Sequence, residues 1–319
     1  MIKPPIVLTG SIAIDRLMSF RGRYTDYIHP ERFDALSVSI FLDQLTDTYG
    51  GVAANIAYSM ALLGETPYLL GSIGKDALVY MESLAHLGVN ITHLHESSLP
   101  TATFNVITDR DQKQIGGFYP GAMFDSASLS LAPWKDQAPL VVISPHDPKG
   151  MERQAKECLQ WRLPYCYDIG QQVSNLPGEQ MRRGILGAQL LIVNDYELTV
   201  LSDKSRLSIE RIKRQVPIVI TTLGQHGSRI EGRAVPEAIT VGTAAPKQVV
   251  DPTGAGDAYR AGFFFGYLRR WPLRASAQLG AVCATYAIEA IGTQNHRFSL
   301  STVAKRYKVS FNELMPAIE

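Results

Sequence analysis

Little in this chain is charge of one sign, and little of it is cysteine. Its 319 residues hold 31 Lys and Arg against 30 Asp and Glu, a formal net charge of +1. That balance creates no field for recruiting nucleic acid or an acidic membrane, and there is no basic stripe interleaved with aromatics. The 3 cysteines, Cys158, Cys166 and Cys283, are odd in number and scattered. They exclude a disulfide framework and a metal-ligand spacing, and free thiols in a reducing compartment are expected. The 7 histidines are dispersed as well, and His93 and His95 alternate as strand or loop residues do. The opening Met1-Ile2-Lys3-Pro4-Pro5 lacks the form of a secretory signal, and no apolar run is long enough to span a bilayer. The expected location is cytoplasmic. Two nucleotide signatures are missing too. Without G-x-x-x-x-G-K-[ST] there is no P-loop, and without G-x-G-x-x-G after a strand there is no dinucleotide fingerprint or kinase glycine loop. Any nucleotide must be held in another way.

What is present begins with apolar β-rich runs alternating with helical patterns. Leu140–Ser144, Tyr165–Asp168, Leu190–Val193 and Ile218–Thr221 read as buried strands, with helices expected over 149–161, 177–186 and 195–214. This is the sequence form of βαβ units, an α/β fold with a parallel sheet covered on both faces. Ile6-Val7-Leu8 can join that sheet. Two period-2 stretches, Leu36-Val38-Ile40-Leu42 and Ala102-Phe104-Val106-Thr108, suggest half-exposed strands on either side of a helix from Val52 to Leu63. A small sheet inserted from about 12–47 and 98–122 would form a lid on a single domain spanning 1–319. The C-terminal third reads as helices over 255–269, 273–290 and 299–307.

Asp251-Pro252-Thr253-Gly254-Ala255-Gly256-Asp257 runs directly into the first of those helices. At a helix start the unpaired N–H groups and the dipole favour an anion, and Gly254, Ala255 and Gly256 let successive amides converge on one. Asp257 beside them supplies an acid group able to accept the proton of an attacking hydroxyl, the arrangement phosphoryl transfer needs. A glycine turn capped by aspartate is the competing reading. Gly50 and Gly51 open the earlier helix and permit close approach of a ligand, and Asn55 one turn later offers an amide to a hydroxyl or simply caps and packs. Asn194 and Glu197 follow a strand at the edge where α/β sheets bind ligands. They suit Mg²⁺, or else form a reciprocal cap. Thr222, Gly224 and Gly227 form a further turn, for a nucleotide or for nothing but the turn. Asp15, near the lid junction, can accept hydrogen bonds from sugar hydroxyls or brace a turn.

In this order the segments resemble the ribokinase-like (PfkB) family of carbohydrate and nucleoside kinases. The family's D-T-x-G-A-G-D is met by Asp251–Asp257, its G-G-x-x-x-N-x-A by Gly50–Ala57, its N-x-x-E by Asn194–Glu197 and its T-x-G by Thr222–Gly224. The resemblance implies a doubly wound, mostly parallel sheet with a β-sheet lid, ATP with Mg²⁺ as phosphoryl donor, and K⁺ near the 251–253 and 286–292 loops. It implies Asp257 as base and 254–256 as anion hole. Asp15, Gly50, Gly51 and Asn55 would hold the sugar, Glu197 would reach Mg²⁺ through water, and Asn194, Thr222, Gly224, Gly227 and Asn295 would attend the nucleotide. Gly71–Val79 departs from the family, with Val79 where many members have glycine.

Stretches containing Gln114, Phe118, Asp168–Gln171, Tyr259-Arg260 and Gln294-Asn295-His296 resemble bacterial adenosine kinase-like members. Phe20, Phe104 and Phe118 on lid strands could stack on a base or form the lid's own core, and Arg110 or Lys113 could close over the phosphates. The expected activity is 5′-phosphorylation of a nucleoside, adenosine foremost. A sugar kinase or a silent nucleoside sensor is the alternative, as a monomer or homodimer with small-molecule partners, no nucleic acid and no membrane.

Overall fold

The computed structural model describes residues 4–29, 34 and 37–318. The chain forms β1 (Ile6–Thr9), β2 (Ala13–Ser19), β3 (Gln44–Gly50), α1 (Val52–Leu62), β4 (Tyr68–Leu70), β5 (Ser72–Gly74), α2 (Leu78–His86) and β6 (His95–Ser97). It continues through β7 (Ala102–Thr108), β8 (Gln114–Tyr119), β9 (Leu140–Ile143), α3 (Pro148–Trp161), β10 (Tyr165–Asp168), α4 (Gly178–Ile185), β11 (Leu190–Asn194) and α5 (Asp195–Ser205). The last elements are α6 (Ile209–Gln215), β12 (Ile218–Thr222), β13 (Ser228–Glu231), β14 (Ile239–Val241), α7 (Ala255–Leu268), α8 (Leu273–Ile288) and α9 (Leu300–Phe311).

An 8-stranded sheet runs in the order β14-β13-β12-β11-β10-β9-β1-β4. Its strands from β12 to β4 pair in parallel, while β13 and β14 turn antiparallel at one edge. Side-chain alternation sends Ile6, Leu8, Leu190 and Ile192 to the face covered by α1 and α7, where Ile56, Phe263 and Phe264 await them. Val7, Leu191 and Val193 go to the opposite face with Met151, Met181 and Leu201. Burial on both faces is why these strands are continuously apolar.

A separate 4-stranded sheet, β3-β2-β7-β8, is built from the two early stretches. The sequence pattern misplaces one of its strands. Leu36 lies outside the described residues, and Val38, Ile40 and Leu42 are in irregular chain. The strand is Gln44–Gly50, one step later. Across from it on β2, Arg16 faces its register partner Asp47 and bonds it at 2.9 Å, and just beyond the strands Asp43 accepts from the Arg21 amide at 2.7 Å. The expected helix over 195–214 is also broken. Arg206 adopts left-handed backbone (φ +56°) to end α5, and Ser208 caps α6 by accepting from the Arg211 amide.

The departing Gly71–Val79 segment has a structural task. Asp76 accepts from the amide and hydroxyl of Thr101 at 2.9 and 2.7 Å, pinning the chain just before β7, while Val79 faces solvent. All 3 cysteines are buried and unpaired. Among the described residues, no helix is long and apolar enough to cross a membrane.

Candidate active site

Both glycine segments are dictated by close approach. Gly51 sits at φ +93°, and a Cβ there would lie 2.5 Å from the Ser11 carbonyl oxygen. Gly50 leaves room for the Asp15 carboxylate, which occupies the space a side chain would fill. At the start of α7, Gly254 has φ +78°, with Thr293 where a Cβ would point. The amide of Ala255 closes a turn onto Pro252 O at 3.2 Å, so the cradle's open amides fall on its neighbours rather than on Ala255 itself. Asp251 stitches this loop to the next. Its carboxylate accepts from the Thr253 and Gly292 amides, each at 2.9 Å, and both Val250 and Asp251 donate to Ile288 O.

The two helix starts meet at one side chain. Asn55 donates from Nδ2 to Asp257 Oδ2 at 2.8 Å. Its Oδ1 accepts from Gln294 Nε2 at 2.9 Å, Gln294 also donates to the Tyr80 hydroxyl, and Tyr80 donates to Gly50 O at 2.8 Å. The direction of this chain is forced, because a carboxylate only accepts and a backbone carbonyl ends the series. Burial pushes the Asp257 carboxyl up to about 6, with Arg260 and the Asn55 hydrogen bond acting against the rise and Asp168 and Asp15 adding to it. Asp15 is likewise pushed up to about 6, by burial first and then by Asp251.

A cleft of about 440 Å³ joins these groups to the lid. Asp15, Asn55, Gly254 and Asp257 line it together with Phe104 and Phe118, and Asp15 is the register partner of Phe104 on the neighbouring strand. The two rings are register partners on β7 and β8, 38% and 48% exposed, so both remain open to a ligand. Phe20 is not among them. It is 4% exposed and packs edge-on against Tyr24 and Tyr27 at 5.2 and 5.6 Å, as the lid's own core. Gln171 and Asn175, after β10, also line the cleft.

The remaining sequence candidates divide. Asn194 and Thr222 are register partners at the C-terminal ends of β11 and β12. Asn194 Oδ1 accepts from the Glu197 amide at 2.7 Å, and Glu197 Oε2 accepts from the Asn194 amide at 2.8 Å. The reciprocal cap is therefore real, and Glu197 has one oxygen left over for any metal. Burial raises its carboxyl despite Arg260 nearby. Gly224 opens onto free space, while Gly227, at φ +86°, is wedged against the Val241 carbonyl. Gln114 is exposed and bonds Thr108 at 3.3 Å, and Asn295 is exposed and bonds Ile291 O at 2.8 Å. Neither Gln114, Asn295, Arg110 nor Lys113 lines the cleft.

The sequence pattern of the pfkB family carbohydrate kinases matches residues 21–298. This chain belongs to the pfkB family. A nucleoside kinase of Methanothermobacter thermautotrophicus is 31% identical to it over 291 residues, covering 88% of this chain and 92% of that one. The Burkholderia thailandensis nucleoside kinase in complex with inosine superposes with a TM-score of 0.87 at 29% identity, covering 97% of this chain and 99% of that one. The same kinase in complex with ADP-inosine gives 0.85 at 29% identity, with 98% of each chain covered. As a pfkB kinase, the chain is a phosphotransferase with an alcohol group as acceptor.

Two features of this pfkB-family site lie in stretches that carry the resemblance but have no role assigned. Gln294, 7% exposed, holds Asn55 and Tyr80, and its position 239 residues from Asn55 gives no local signal of that role. Arg260 and Asp168 form an ion pair at 2.6 Å beneath the helix start. Spacing gives a hint of this, since Arg260 falls one turn after Gly256 on the same helix face.

Proposed function

We propose that this chain transfers the γ-phosphoryl group of ATP to the 5′-hydroxyl of a nucleoside, with a purine nucleoside such as adenosine as the acceptor. One observation carries this reading: Phe104 and Phe118 stand exposed in the same cleft that Asp257 lines. Flat aromatic faces grip a base by stacking and offer a bare sugar much less. The ribose would lie in that cleft between the rings and Asp257, with its hydroxyls on Asp15.

Asp257 takes the proton of the attacking 5′-hydroxyl. Its carboxyl near 6 leaves it ionised at neutral pH and closer to the working pH than an ordinary aspartate. Asn55 holds the carboxylate in one orientation while it does so. The first turn of α7 offers backbone N–H groups where negative charge gathers on the transferring phosphoryl.

The donor side fits a nucleotide carried with its own metal. The described residues contain no group of at least three His, Cys, Asp or Glu able to hold a metal. Glu197 offers a single carboxylate oxygen beyond its cap, which would suit a Mg²⁺ ion that keeps most of its waters. Mg²⁺ supplies charge neutralisation on the phosphates. Thr222 and Gly224, at the sheet edge beside Asn194, would seat the nucleotide. The joined 250–253 and 288–292 loops would hold K⁺.

ADP release measured across adenosine, inosine, pyrimidine nucleosides, ribose and fructose tests the assignment. Turnover with nucleosides is expected. Turnover with sugars alone would reassign the chain as a sugar kinase, and binding without turnover as a sensor.

A further inference from the structure

Arg260 is 7% exposed, and its guanidinium is anchored on one side only. Nη2 donates to Asp168 Oδ1 at 2.6 Å, and Asp168, the last residue of β10, is fully buried. The Arg260 Nε and the second carboxylate oxygen, Asp168 Oδ2, have no partner among the described residues. A pair placed for stability alone would satisfy those atoms, since each unmet buried polar group is costly.

The position of the other end of the guanidinium explains the arrangement. A helical side chain leans toward the N-terminus of its helix, onto the residue four positions earlier. Arg260 does this, and its Nη1 stands 2.9 Å from where a Cβ on Gly256 would be. Gly256 thus has a second reason to be glycine: any side chain would press on the guanidinium. The full positive charge lies against Gly256, the last residue of the cradle, adding to the partial charge of the helix start. Asp257 and Glu197 are also within its electrostatic reach, so a single cation faces Asp168, Asp257 and Glu197 together.

We propose that Arg260, clamped by Asp168, is a positioning residue of the transfer site that brings a buried positive charge to the underside of the anion cradle and beside the proton acceptor. The proposal presupposes the kinase reading above. Its consequence is a pair of opposed effects. Arg260 favours the ionised form of Asp257, whereas Asp168 and Asp15 disfavour it, and Asn55 favours it by hydrogen bonding. Tyr80 is the further titratable group in electrostatic reach of Asp257.

The test is the acid limb of kcat/KM for adenosine at saturating ATP, followed from about pH 5 to 9. Arg260→Gln should shift the limb upward by about one pH unit, and Asp168→Asn should shift it downward. The double variant D168N/R260Q, which keeps a neutral hydrogen-bonding pair, should lie between them. If Arg260→Gln fails to fold, a downward shift in Asp168→Asn that the double variant moves back upward still decides the matter. Lost rate with no displacement of the limb, or displacement in the same direction for both single variants, overturns the proposal. Absence of nucleoside turnover in the unmodified enzyme instead overturns the kinase reading.

Discussion

Asn55 and Asp257 are 202 residues apart in sequence and 2.8 Å apart in space. Each opens one of two helices, α1 and α7, that begin at glycines and converge on the cleft. An amide expected to face a sugar hydroxyl is first of all the support of the candidate base. Its second Nδ2 hydrogen leaves it able to serve both.

Replacing Asn55 by Leu should therefore act on proton transfer as well as on binding. A hydrogen bond to a charged group contributes about 1.5–3 kcal/mol, so kcat/KM should fall at least tenfold. The same change removes a contact that lowers the Asp257 carboxyl, so the acid limb should move to higher pH. A raised KM with an unmoved limb would assign Asn55 to binding alone. Gln294→Leu should reproduce the limb shift in weaker form, because it acts one bond further out.

Asp257→Asn should abolish turnover while ATP binding persists. It should also stabilise the protein above neutrality. The folded carboxyl lies near 6 against an ordinary 3.8, so the native state holds its proton more tightly than the unfolded chain does. The stabilising contribution is complete below the ordinary value and is lost as pH rises through the folded one. Asparagine carries no charge to bury. Melting temperature in Asp257→Asn should exceed that of the unmodified protein at about pH 8, and the two should converge below about pH 4. Equal melting curves at both pH values would show that the carboxyl is not raised.

Phe118→Ala and Phe104→Ala should separate base recognition from chemistry. Stacking on a base contributes about 1–3 kcal/mol, so KM for adenosine should rise roughly tenfold or more. The saturated rate should change far less, since stacking on the base holds the ground state and the transition state alike. Phe20→Leu should leave KM alone and lower thermal stability, because Phe20 packs within the lid. A KM effect at Phe20 comparable to that at Phe118 would contradict this division.

Glu197 has two assignments that one substitution separates. Glutamine preserves the oxygen that caps Asn194, so Glu197→Gln should barely alter stability. It removes the charge available to a hydrated cation. The Mg²⁺ concentration for half-maximal rate should rise several-fold, and chelation should stop turnover in both proteins. An unchanged Mg²⁺ requirement would reduce Glu197 to a cap.

Residue order by itself determined the family, the α/β class and most of the helices and buried strands. These are local matters: apolar runs, glycine at helix starts and motif spacing each act over a few residues. It failed where distance or charge decides. The strand from Gln44 to Gly50 is too polar to announce itself, and its pairing with β2, Arg16 opposite Asp47, is a long-range relation. The helix break at Arg206 depends on a left-handed residue that no glycine marks. Only the tertiary structure could decide that Asn55 holds Asp257, that Phe104 and Phe118 face the cleft while Phe20 does not, and that Arg260 lies beneath Gly256. Those are relations among side chains carried on different elements, and they exist only once packing brings the sheet edge, the lid and the two helix starts together.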